Sequence, residues 1–316
     1  MIKRIIAILM IGSAAPVVAE PFLLAQPVDC ILGQSCYIQQ FVDHDPGPGA
    51  RDFLCQGLSY DGHKGTDFAL PTQEDMQRGV IVRAAAPGVV RGTRDGMADE
   101  VYAGRDLANR DCGNGVVIQH ADGWETQYCH LRRGSVLVRS GQEVATGTAL
   151  GLVGLSGRTE FPHLHLSVRK DGAVVDPFAP NGAASCDADQ TLWADRLPYV
   201  PGGVIDVGFS AGVPDYSQVQ IGTADDIAPR RDTALVGYGY AFGGRAGDVL
   251  RIVIDGPAGQ ITTSDTQLEK PQATFFRAAG RRAQPSGWPS GTYELIVQLL
   301  RGDEIISEKT ETTTLR

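Results

Sequence analysis

Between about residues 61 and 178, short runs of β-type residues follow one another, each closed by a turn signal. That rhythm restricts this stretch to a fold built from strands. The runs include "GVIVRAAAPGVVRG", "GNGVVIQHADGWETQYCHL", "GSVLVRSGQEVATGTALGLVGLSG" and "PHLHLSVRKDGAVVDP". Glycine fills 39 of 316 positions, above the ~7 % of an ordinary chain, and such an excess suits a turn-rich all-β protein. In the second run "GVVIQH" and "ETQYCH" flank an Asp-Gly pair, which predicts a β-hairpin. The polar, aperiodic stretch 93–111 reads as a long surface loop, a kind of segment often kept for function.

Two residue types divide the chain. All six cysteines (Cys30, Cys36, Cys55, Cys112, Cys129, Cys186) and all six histidines lie before residue 187, and the last 130 residues hold neither. The β pattern nevertheless resumes there. "DVLRIVIDGPAG" alternates, and "GTYELIVQLLRGDEIISEKTETT" predicts a terminal hairpin around Gly302-Asp303. About 115 residues of short strands suggest an immunoglobulin-like β-sandwich without the cysteine pair of antibody domains. The expected division is a signal peptide at 1–19, a cysteine-containing segment at 20–60 and a histidine-bearing β domain at 61–180. A linker at 181–202 and the sandwich at 203–316 complete it. A chain cut near Asp187 is expected to keep any metal held by the first part.

The segment "FPHLHLSV" (161–168) carries the chemistry. In a strand, alternate side chains share a face. His163 and His165 therefore share one with Phe161 and Ser167, while Leu164, Leu166 and Val168 turn to the other. Upstream, "HKGTD" supplies His63 and Asp67, and "QYCHL" supplies His130. A catalytic zinc site uses three protein ligands and leaves a position for water, and the helical HExxH signature is absent.

The succession His-x-x-x-Asp, Tyr-x-His-Leu, His-x-His resembles the lysostaphin/LytM-type zinc endopeptidases. The glycines of "DGHKGTDFALP", "VRAAAPGVV" and "CGNGVVIQHADGWETQYCHL" fall in the same order, and the likeness covers roughly residues 60–178. The resemblance implies an antiparallel β-sheet groove, one Zn2+ per chain held by His63, Asp67 and His165, and two non-ligating catalytic histidines, His130 and His163. Tyr128, two residues from His130, is expected with Asn114 to line the substrate groove. The implied activity is hydrolysis of the peptide cross-links of cell-wall peptidoglycan, with its peptide stems as partner. Zinc would activate water with the help of a histidine, because no glutamate stands between the ligands. The alternatives are a non-catalytic zinc-binding activator of a partner wall hydrolase and a biotinyl- or lipoyl-type carrier. The carrier lacks a lysine at the required hairpin tip.

The other features take plainer readings. His120 is expected to be structural, and His44 and the Asp43/Asp45/Asp52 cluster to be solvated loop. "GNG" (113–115) reads as a turn. Strand alternation sends Cys129 away from His130, so a disulfide is expected there, with pairs Cys30–Cys36, Cys112–Cys129 and Cys55–Cys186. "MIKR", an apolar stretch and Val17-Val18-Ala19 resemble an export signal cleaved after Ala19, placing the protein in the periplasm or outside the cell with no transmembrane anchor. Loss of Lys3 and Arg4 takes the formal charge from −9 to −11. An acidic exported chain is a poor partner for nucleic acid.

Overall fold

The structure, a computed structural model, describes residues 21–183, 186–187 and 189–316. The expected signal peptide lies outside them. No helix among the described residues is long and apolar enough to cross a membrane.

Up to residue 180 the strands are β1 (Tyr37–Gln40), β2 (Thr66–Ala69), β3 (Ile81–Arg83), β4 (Gly88–Arg94), β5 (Asn114–Gln119), β6 (Trp124–Leu131), β7 (Glu143–Val144), β8 (Ala149–Leu152), β9 (His163–Lys170) and β10 (Ala173–Val174). A short helix α1 (Gln73–Arg78) follows β2, its N-terminus closed by a reciprocal Thr72–Asp75 capping box. The main sheet runs β1-β2-β9-β6-β5-β4-β7 with β10 beside β9, antiparallel throughout, and β3 pairs β8 separately. The predicted hairpin is β5–β6, turned at Asp122 and Gly123, both at positive φ.

Period-two alternation decides which side of this sheet is oily. Leu164, Leu166 and Val168 are at most 1 % exposed and join Phe68, Tyr128 and Ile118 in the core. Removing such side chains from water contributes roughly 1.5–3 kcal/mol each, which pins the register. A slip of one residue would put the leucines outside and the histidines in the core.

Neither edge of the expected catalytic domain is a packing boundary. β1, from the 20–60 segment, pairs with β2. Phe41 and Phe53 of that segment meet Phe178 and Tyr199 ring to ring. The 181–202 stretch is not a free linker: Leu192 and Trp193 are buried in the same core, and the Tyr199 hydroxyl donates to Asp52 at 2.7 Å. The disulfides are Cys30–Cys36, Cys55–Cys186 and Cys112–Cys129, the pairing expected from sequence.

The C-terminal part contributes β11 (Gly203–Ser210), helix α2 (Tyr216–Ile221), β12 (Leu235–Gly244), β13 (Val249–Gly256), β14 (Gly259–Gln267), β15 (Gln272–Arg281), β16 (Gly291–Arg301) and β17 (Glu304–Leu315). They form two antiparallel sheets, β11-β12-β15 and β14-β13-β16-β17. Leu235 of one sheet and Leu250, Ile252, Ile254, Leu295 and Val297 of the other fill a common core. This is an immunoglobulin-like sandwich with three strands facing four. The terminal hairpin closes between Arg301 and Glu304, as its sequence predicts.

Candidate active site

Asp67 of β2, His165 of β9 and Cys129 of β6 are direct cross-strand partners in one row of the sheet. Ala69 and His163 form the next pair on the same face, beyond Phe68 and Leu164. Directly opposed residues point to the same side, so β2 and β9 present Asp67, His163 and His165 together. His63 enters from the loop before β2, its backbone fixed by Asp43 N–H donating to the His63 carbonyl at 2.9 Å. The glycine of "HKGTD" has a steric reason: a Cβ on Gly65 would lie 2.6 Å from the His165 ring and 2.7 Å from the Leu166 carbonyl oxygen.

Three donor atoms converge. His63 Nε2 is 3.2 Å from Asp67 Oδ1 and 3.1 Å from His165 Nδ1, and His165 Nδ1 is 2.8 Å from Asp67 Oδ1. Ligands of a tetrahedral zinc at ~2.0–2.1 Å stand about 3.3 Å apart, so the set fits a metal with little adjustment. Each imidazole is also held from behind. His63 Nδ1–H donates to the Phe41 carbonyl at 2.7 Å, and His165 Nε2 meets Ser167 Oγ at 3.0 Å. These contacts leave His63 Nε2 and His165 Nδ1 with their lone pairs toward the shared centre, the usual arrangement behind metal-ligating histidines. Burial opposes the charge on Asp67, but the imidazoles of His63, His163 and His165 outweigh it and hold the carboxyl well below its ordinary pKa. For His63, burial works against protonation and the Asp67 charge overrides it, raising the pKa.

His130 and His163 stand beside this triad. Their ring centroids are 4.7 Å apart, and His163 Nε2 is 3.5 Å from Asp67 Oδ1. His130, His163 and His165 form a second group that could hold a metal, sharing His165 with the first. The two added histidines are differently supported. His130 Nδ1–H donates to the Ser156 carbonyl at 2.7 Å, and His163 Nδ1–H to the Phe161 carbonyl at 3.0 Å. Each Nε2 therefore keeps a lone pair. Burial, together with the neighbouring His163 and His165, pushes the His130 pKa well below its ordinary value. Burial also lowers that of His163, against the pull of Asp67. Both imidazoles are neutral at neutral pH.

Two groove expectations fail. Tyr128 is completely buried on the core side, its hydroxyl accepting from Ala85 N–H at 2.8 Å, and it is absent from the cleft. The parity count from His130 misplaces it because His130 has φ 63°. That left-handed residue, beside an irregularity in the β5–β6 register, breaks the alternation. The same break corrects the reading of Cys129, which is opposite His165 and not turned to the far side. Its sulfur is bonded to Cys112, so it is no nucleophile. Asn114 is also buried; its side chain donates to the Met97 and Leu131 carbonyls and accepts from Met97 N–H, clamping the 93–111 loop.

An open cleft of about 410 Å3 is lined by Asp67, His130, His163 and His165, with His63 set behind it. Sequence reasoning missed most of its lining: Tyr60, Tyr102, Arg158 and Phe161 around the histidines, and Gln39 and Gln40 from β1. Tyr60 stood within three positions of His63 and could have been suspected on proximity. Tyr102 arrives on the 93–111 loop, where its N–H donates to the Thr159 carbonyl at 2.8 Å.

The remaining polar residues are structural. His120 bonds the Pro87 carbonyl and Thr126 Oγ1, as expected of a structural histidine. His44, expected to be solvated, instead meets the buried Asp176 at 2.7 Å. Asp52 is fully buried, accepting from three backbone N–H groups and Tyr199. Asp43 accepts from the N–H groups of Asp45, Arg51 and Gly62.

Comparison with known proteins bears on this site. The model of peptidase family M23 matches residues 61–177. Peptidoglycan DD-endopeptidase ShyA of Vibrio cholerae is 38 % identical over 119 residues, which are 38 % of this chain and 23 % of that protein. DD-carboxypeptidase/endopeptidase Mpg of Neisseria meningitidis is 36 % identical over 119 residues, 37 % of this chain and 22 % of its own. Among solved structures, a zinc-containing peptidase from Vibrio cholerae aligns at a TM-score of 0.30 and 27 % identity, over 45 % of this chain and 39 % of that one. The match thus spans about a quarter of the length of these curated relatives.

Proposed function

We propose that this chain, whose residues 61–177 are a peptidase family M23 domain, is an exported zinc endopeptidase cutting the peptide cross-links of bacterial peptidoglycan. The observation that carries the reading is the meeting of His63 Nε2, Asp67 Oδ1 and His165 Nδ1 within 2.8–3.2 Å, beside two neutral imidazoles. The relatives named as peptidoglycan endopeptidases support the substrate class. Six cysteines in three disulfides support an oxidising compartment outside the cytoplasm, in keeping with the export signal read at residues 1–19.

In the mechanism this implies, His63, Asp67 and His165 would hold the zinc, which when bound would supply Lewis acidity and activate water for attack. Phe41 and Ser167, engaging the outer nitrogens of His63 and His165, would orient the inner nitrogens toward the metal. His130 and His163, with Nδ1–H committed to carbonyls, offer Nε2 to the cleft. One takes the proton of the attacking water as general base. The resulting imidazolium then stabilises the tetrahedral oxyanion and returns the proton to the departing amine. Burial keeps both histidines in the base form before the reaction.

Purified sacculi incubated with the mature protein, with and without chelator, test the reading through the mass of released muropeptides. Cleaved cross-links that disappear with chelator and return with zinc are the expected result. Intact cross-links in the presence of zinc would refute hydrolysis and favour an activator.

A further inference from the structure

The cleft over the histidines is not enclosed by the M23 domain alone. Gln220 of α2 and Ala273 and Thr274 of β15, from the C-terminal sandwich, line it together with His130, His163 and His165. The sandwich is seated there by a buried apolar cluster joining Tyr37 and Ala69 of the main sheet to Ile205, Val219, Tyr240 and Phe242. Ala69 is the direct cross-strand partner of His163, and the Tyr37 and Phe242 rings are 4.5 Å apart. Phe161 packs against the same cluster and stacks on His163 with centroids 4.4 Å apart at 22°. Behind the wall, the α2 cap sits close against α1. A Cβ on Gly222 would fall 2.8 Å from Thr72 Oγ1.

We propose that the sandwich forms a fixed second wall of the substrate cleft, with Gln220 and Thr274 contacting the peptide and setting its width and orientation. The wall's chemistry is neutral. It offers a side-chain amide and a hydroxyl, the latter already fixed by Tyr216 at 2.8 Å. Such groups can pair with the main-chain amides of an extended peptide. Gln40 adds to this from the sheet side. It lines the cleft, it is the cross-strand partner of Asp67 across a β-bulge, and its buried Oε1 has no hydrogen-bond partner among the described residues. The cleft therefore has room for an extended peptide strand running past the sandwich.

This inference deepens the endopeptidase reading and rests on it for the substrate class. The test uses full-length mature protein carrying Ala273→Trp, an exposed position where a large side chain narrows the mouth, or Gln220→Ala. Zinc content and melting temperature are measured first and should match the wild type. Binding and cleavage are then followed with a short linear stem peptide and with a cross-linked muropeptide dimer. Ala273→Trp is expected to weaken dimer binding and lower kcat/KM for the dimer at least about tenfold, mainly through KM, with a smaller loss for the linear peptide. Gln220→Ala is expected to raise KM severalfold for both substrates. Wild-type behaviour of both variants on both substrates would overturn the wall. Binding without cleavage by the wild type would refute hydrolysis alone, since the variants' affinities would still decide the wall. No binding by the wild type would overturn both.

Discussion

His63 and His165 stand 102 positions apart in sequence, yet His63 Nε2 and His165 Nδ1 meet at 3.1 Å. Each presents a different ring nitrogen, because one is fixed at Nδ1 by a carbonyl and the other at Nε2 by a hydroxyl. With Asp67 Oδ1 between them, the pair defines a centre that two separate segments must be folded to create.

The first prediction separates ligands from catalysts within "HLH". His165→Ala leaves two ligands, too few for tight zinc binding, and the metal should be lost. His163→Ala and His130→Ala should keep it while the rate falls ~10²–10⁴-fold, the usual worth of a general acid-base group. Zinc per chain, measured beside the peptide-cleavage rate, checks this. Equal zinc loss in His163→Ala and His165→Ala would show that both ligate.

Ser167 should matter without touching the metal. Its Oγ is 3.0 Å from His165 Nε2, and partners of this kind typically contribute ~10–100-fold in metal affinity. Ser167→Ala is expected to give up zinc to a competing chelator at correspondingly lower chelator concentration. An unchanged competition curve would rule the contact out as a support.

Truncation should depend sharply on where the chain is cut. Ending it near Asp187 removes Leu192 and Trp193 from the core, a loss of large buried side chains that costs about 3–5 kcal/mol for an aromatic alone. That cut is expected to prevent folding, against the expectation from sequence. A chain ending at 202 keeps all three ligands and should bind zinc, but it uncovers Tyr37 and Ala69 and should melt lower and bind hydrophobic dye. Zinc-loaded, fully stable protein from the shorter chain would show that residues 188–202 are dispensable.

Acid should weaken the fold partly through His120. Burial lowers its folded pKa, with the Pro87 carbonyl and Glu125 opposing, against ~6.5 when unfolded. Above ~6.5 neither state is protonated and the stability is fully present. As pH falls from there toward the lowered folded pKa, the unfolded chain binds the proton first and stability drops. His120→Asn should flatten this fall, read as urea midpoints at pH 7.5 and 5.5. Parallel losses in both proteins would exclude His120 as a contributor.

The Cys112–Cys129 bridge closes a 17-residue separation next to His130, whose N–H donates to the Cys112 carbonyl at 2.8 Å. Chain entropy for a loop of this size gives about 3 kcal/mol. The double Cys112→Ala, Cys129→Ala variant should lose stability of that order by guanidinium midpoint and lose cleavage rate beyond its unfolded fraction. Full activity in the folded variant would show that the bridge does not help place His130.

Much of the site was legible because local spacing carries it. Period two put His163 and His165 on one face and Leu164, Leu166 and Val168 on the other, and the order of "HKGTD", "QYCHL" and "PHLHL" named the residues that converge. The same rule failed at His130, where a left-handed backbone ends the alternation and sends Tyr128 to the core. Parity is a property of an unbroken strand, and no residue type in "QYCHL" announces the break. Asn114 was read as groove for want of knowing that its amide must satisfy Met97 and Leu131. The cleft wall was beyond reach for a different reason. Gln220 and Thr274 carry no motif, and they face the histidines only because apolar side chains of two sheets, distant in sequence, bury one another at Tyr37, Ala69, Tyr240 and Phe242. The sequence by itself determined which histidines and which aspartate are brought together, through spacing that acts within a strand or a turn. Burial between sheets, which depends on surfaces that exist only after folding, decided what else surrounds them.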